Sequence, residues 1–136
     1  MGEPRPTASI AEARDDGPAS RGDPSVQDDD LTRDIAEVPA VELINTVAIH
    51  LLSAAAVKLG LGDGPDAQTE VDLDEARKLI NALAGLVTAA APEVGSIHAA
   101  PLRDGLRSVQ LAFREASAIP DAPGKGPGER FTGSVV

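Results

Sequence analysis

Cysteine is absent from all 136 residues, which excludes disulfides and thiolate chemistry. Histidine is nearly absent. His50 and His98 are the only two, they fall in different segments, and a metal site needs several converging ligands. Basic residues are scarce, 12 Lys and Arg against 22 Asp and Glu for a net charge of -10, so non-specific binding to phosphate backbones is disfavoured. β-type alternation never lasts more than a few residues, and neither an internal repeat nor a Gly-x-Ser-x-Gly elbow is present. The first residues lack a charged region followed by an apolar run, so no signal peptide is expected. These absences lead to the expectation of a cytoplasmic, non-enzymatic protein that needs no metal and no cofactor.

What is present is a set of three helical segments between two polar stretches. Residues 1–37 hold ten acidic and four basic residues with few large aliphatics. Low hydrophobicity with net charge does not offset the entropy of ordering, so this reads as a disordered acidic tail. Residues 119–136 (IPDAPGKGPGERFTGSVV) are rich in Pro and Gly and read as a second disordered tail. The 81 residues of 38–118 are left to fold as an all-α domain of three helices, near 40–59, 73–91 and 101–118. A domain this small has a thin core, for which self-association is a common remedy.

The first helical segment is apolar nearly all the way round. Val41, Ile44, Ala48, Leu51, Ala55 and Leu59 recur at spacings of three and four, and Leu43, Val47, Leu52 and Val57 widen the stripe. A surface helix this apolar needs a cover, so the six-residue stripe is expected to be the seam of a homo-oligomer, a dimer by preference. The segment is about long enough to cross a bilayer. Glu42, Asn45, His50, Ser53 and Lys58 interrupt it and no basic cluster flanks it, so no membrane span is expected. Gly60 is placed to stop the helix.

Asp72 followed by Glu75 matches a capping box opening the second helix. Asp74 is spaced to pair with Arg77 and Lys78, and Pro92 is expected to end the helix. Leu73, Ala76, Leu79, Ile80, Leu83, Leu86, Val87 and Ala90 form its apolar face. The third helix is expected to start near Pro101 with Ser96 or His98 as its cap, and to bury Leu102, Leu106, Val109, Phe113 and Ala116.

The stretches LINTVAIHLLSAAAVKLGL, VDLDEARKLINALAGLV and LRDGLRSVQLAFREAS resemble a small bacterial family known as domain of unknown function 1844. That pattern has a long apolar helix closing in Leu-Gly, an acidic cap into an Ala-rich helix with an Ile-Asp-x-Leu element, and a final helix with a Leu-Arg pair. Leu59-Gly60, Ile80-Asn81-Ala82-Leu83 and Leu106-Arg107 stand at those places. Asn81 replaces the usual Asp, and the family's Lys-Thr-x-Gly-Asn-Leu turn is missing except for Thr88 and Gly95. The resemblance implies a helical fold and no particular reaction. The family's frequent neighbourhood to translation genes implies a connection to the ribosome.

Few side chains in this sequence suggest chemistry. Asp72, Asp74 and Glu75 are explained by helix capping better than by acid–base work. Gly60, Gly62 and Gly64 follow a helix and sit among Asp63 and Asp66, which suits a turn and not a phosphate loop. His50, mid-helix, suits an interface position better than a metal ligand, and imidazole's titration near neutrality would make an assembly through it pH-sensitive. Arg21-Gly22-Asp23 matches an adhesion tripeptide and is read as chance. Arg103, Arg107, Gln110 and Arg114 share one face of the third helix. They read either as a solvated surface or as a docking stripe for an acidic helix or an RNA backbone, with the chain's own acidic N-terminal tail as an internal competitor. The expected function is therefore protein–protein assembly. The alternatives are an accessory role in translation or another RNA machine through the Arg stripe, and, third, a small-molecule enzyme or binding protein.

Overall fold

The structure, a computed structural model, describes residues 36–136. The acidic stretch 1–37 therefore lies, but for its last two residues, outside the described residues. Four helices follow Pro39: α1 (Ala40–Lys58), α2 (Leu73–Val94), α3 (Ser96–Ala116) and a single turn, α4 (Glu129–Thr132). A short 3₁₀ turn, Ala67–Glu70, interrupts the loop between α1 and α2. No strand occurs among the described residues.

α1 closes as its sequence implies. The Gly60 N–H donates to the Val57 carbonyl (3.0 Å) and the Leu61 N–H to the Ala56 carbonyl (2.9 Å), the paired bonds of a Schellman stop. The Asp72 N–H then donates to the Lys58 carbonyl (2.8 Å), tying the start of α2 to the end of α1. Asp72 caps α2 by accepting the Glu75 N–H (3.1 Å). The reciprocal half of the capping box is not made, because the Glu75 carboxylate accepts from Lys78 instead (2.7 Å). That hydrogen bond, and after it the carboxylate charge, raises the Lys78 pKa above its ordinary value. Asp74 is thus not the partner of Lys78, and Arg77 turns away to Asp121 (3.0 Å).

Two helix ends differ from expectation. α2 runs through Pro92 to Val94, and α3 begins at Ser96 with Pro101 inside it and no side-chain cap. Proline removes one intrahelical donor. The acceptors left over belong to Thr88, which is exposed, and to Ile97, which is 87% exposed, so water is at hand for both. The extra turns are held by a small cluster of their own, in which Ala90, Ala91, Val94 and Ala99 pack with Val41 and Ile44. Gly95 alone joins the two helices, at φ 84° and ψ 163°, a backbone region essentially restricted to glycine.

The main core lies where the three long helices meet. Ile80 and Leu83 of α2 are its largest fully buried side chains, packed with Ala48, Ala55, Leu102, Leu106, Val109 and Phe113. Ala116, expected in the α3 stripe, is exposed.

The proposed cross-chain seam is corrected here. Val41, Ile44, Ala48, Leu51, Ala55 and Leu59 form the inward face of α1. Ala48, Ala55 and Leu59 belong to the main core, Leu51 packs on it, and Val41 and Ile44 join the smaller cluster. Apolar spacing marks which face of a helix is covered and is silent about what covers it; α2 and α3 of the same chain do so. Among the described residues α1 alone combines the length and apolar composition of a membrane-crossing segment. Here it lies along α2 and, less extensively, α3.

The expectation of a disordered tail over 119–136 is also corrected. This segment folds back across α2 and α3, and Pro127 and Val135 are buried. Asn81 accepts the Gly128 N–H (2.7 Å). Gly128 has φ +76°, and a Cβ there would lie 2.9 Å from both the Ala84 Cβ and the Gln110 Nε2, so only glycine allows this approach. Pro and Gly content does not amount to disorder here, because the same residues shape a packed strap.

Candidate functional site

The strap and the exposed side of α3 together form a recessed, partly polar surface. α3 projects Arg103, Arg107 and Gln110 from one face, since residues three and four apart are helical neighbours. Gln110 is 5% exposed. Its amide donates to the Pro127 carbonyl (3.0 Å) and to the Thr132 Oγ1 (3.2 Å), so it anchors the strap. Burial removes it from any partner-docking stripe, which corrects that expectation. Arg107 donates to the backbone oxygen of Val136 (2.9 Å). Glu129 closes the strap on itself, accepting the Gly126 N–H (2.8 Å) and the Val135 N–H (2.7 Å) through its two carboxylate oxygens.

Between these elements lies a cavity of about 370 Å³. Its polar lining is Arg103, Arg107, Gln110, Thr88, Thr132 and Ser134; its apolar lining is Val87, Leu106, Phe131 and Val135. Three of the four side chains grouped by sequence, Arg103, Arg107 and Gln110, therefore meet at one site. The fourth, Arg114, does not line it. Arg114 stands farther along α3, beside clefts that include Asp121 and Glu115. Sequence reasoning missed Asn81, Glu129 and the strap residues of the lining. The available signal was the presence of Phe131, Val135 and Val136 in an otherwise Pro- and Gly-rich run.

Nearby, Arg77 reaches from α2 to the strap. Its guanidinium lies 4.8 Å from the centre of the Phe113 ring and pairs with Asp121. Charge-assisted and cation–π contacts thus meet on one side chain. Among the described residues no three His, Asp or Glu side chains converge as a metal site would require. His50 is exposed on α1 and His98 is exposed on α3.

The second surface is the outward side of α1. Val47 (43%), Ile49 (45%) and Val57 (39%) are exposed there, and Leu61 follows just past the helix end at 58%. Glu42, Thr46, His50 and Ser53 are exposed among them.

The family model described as Domain of unknown function (DUF1844) matches residues 40–115, the span of α1 to α3 without the strap. No curated protein and no solved structure matches the chain.

Proposed function

Because the chain belongs to the DUF1844 family, a family without an assigned reaction, we propose its role from its surfaces: a cytoplasmic, non-enzymatic assembly module whose first partner is a second copy of itself. The observation that carries this reading is the spacing of the outward α1 side chains. Leu43, Val47, His50, Ala54 and Val57 recur at alternating intervals of four and three, the period of a helix–helix seam. Its central part, Val47 to Val57, is also its own mirror. Laid antiparallel on a copy, it sets Val47 against Val57 and His50 against Ala54. Large residues then meet large ones, the imidazole meets the smallest side chain, and one two-fold axis satisfies both chains. Glu42, Thr46 and Ser53 on the same outward side favour a watery flank over lipid.

A single helix–helix seam lies at the small end of interface sizes, so the dimer is expected to be weak, with a dissociation constant on the order of micromolar. Sedimentation equilibrium across concentrations tests it. Val47→Asp is expected to leave the circular dichroism spectrum helical and to abolish self-association. A native chain that stays monomeric at high concentration, or a Val47→Asp chain that associates as before, would contradict the reading.

A further inference from the structure

We infer that the cavity between α2, α3 and the strap is a binding site for a small amphipathic oxyanion, a carboxylate or phosphate head on a short apolar body. The inference is independent of the α1 surface. The cavity volume, about 370 Å³, falls in the range of small-molecule sites, roughly 300–1,000 Å³. Its charge runs against that of the molecule. Two guanidiniums, those of Arg103 and Arg107, face it and no Asp or Glu side chain lines it, although the chain carries a net charge of -10.

The donors are also free to act. Among the described residues Arg103 has no ion pair, and neither Arg103, Thr88 nor Ser134 makes a side-chain hydrogen bond. Arg107 spends one Nη2 donor on Val136, and a guanidinium has five. Two like charges one turn apart repel each other, and an anion between them relieves that repulsion. Val87, Leu106 and Val135 are buried at the base and Phe131 forms part of the wall, which gives an aliphatic body somewhere to go. Arginine rather than lysine at both positions suits a forked, planar grip on an oxyanion.

The test uses the full chain and three probes in calorimetric titration and in amide chemical-shift mapping. Hexanoate carries head and body, inorganic phosphate the head alone, and hexanol the body alone. Hexanoate is expected to bind saturably, with a dissociation constant on the order of millimolar for eight non-hydrogen atoms, and to shift strap and α3 amides. Phosphate and hexanol are each expected to bind at least about tenfold more weakly. Arg103→Gln is expected to weaken hexanoate about tenfold, the loss of one charge-assisted contact. Because Arg103 is exposed and makes no ion pair among the described residues, its unliganded melting curve is expected to stay unchanged. Equal binding of hexanol would reduce the cavity to an apolar void. Equal binding of phosphate would reduce it to surface charge. Hexanoate binding that Arg103→Gln leaves intact, or that never saturates, would overturn the assignment.

Discussion

α1 and α2 are both long and mostly apolar, yet they use their side chains in opposite ways. α2 buries eight of its 22 residues, including Ile80, Leu83 and Val87. α1 buries two of its 19, and both are alanines, Ala48 and Ala55. Its bulkier Val47, Ile49 and Val57 face outward. Ala48 and Ala55 at the centre of the contact are flanked by Val41, Ile44, Leu51, Leu52 and Leu59, so only part of the aliphatic surface of α1 is used within the domain. A helix's composition therefore does not reveal its burial. α1 is apolar nearly all the way round and α2 chiefly on one face, yet the amphipathic helix is the more deeply buried of the two.

The comparison is broken most severely on the α2 side. Ile80→Ala removes most of a side chain that is 0% exposed and is expected to cost about 2–5 kcal/mol, read as a lower urea midpoint at an unchanged slope. The α1 counterpart runs in the other direction. Ala55→Leu inserts bulk where there is no room and is expected to cost about 1–3 kcal/mol in the same measurement. An unchanged midpoint would show that the two helices are not tightly apposed. The smallest effect is expected on the polar edge of α2. Asn81→Ala removes the acceptor of the Gly128 N–H and is expected to cost about 1 kcal/mol, with faster amide exchange confined to the strap. Loss of protection throughout α3 would instead make the strap part of the core.

Much of the helical domain was legible from sequence because its cues are local. The Asp72 cap, the Gly60 stop and the period of Leu102, Leu106, Val109 and Phe113 each depend on residues within one or two turns. The N-terminal residue of α3 and the end of α2 were misjudged because Pro92 and Pro101 obey a local rule that tertiary packing of Val94 and Ala99 overrides. The cavity was half legible. Helical spacing grouped Arg103, Arg107 and Gln110, but the other wall comes from contacts such as Asn81 to Gly128, 47 residues apart. Nothing local announces those contacts. In the 119–136 stretch composition misled outright, since glycine and proline serve a tight fold-back as readily as a loose chain.

The one-residue link at Gly95 carries a consequence for how such a chain can vary in length. α3 is a lever of 21 residues, about 32 Å at the helical rise, hinged on a single backbone unit. An added residue in the first turn of α3 would rotate the rest of the helix by about 100° about its axis and carry Leu102, Leu106 and Phe113 off their seats. The loop between α1 and α2 has no such gearing, because its ends are pinned together by the Asp72 to Lys58 hydrogen bond. Length changes within the helical domain are therefore absorbed between Leu59 and Val71, while the joint at Gly95 admits none.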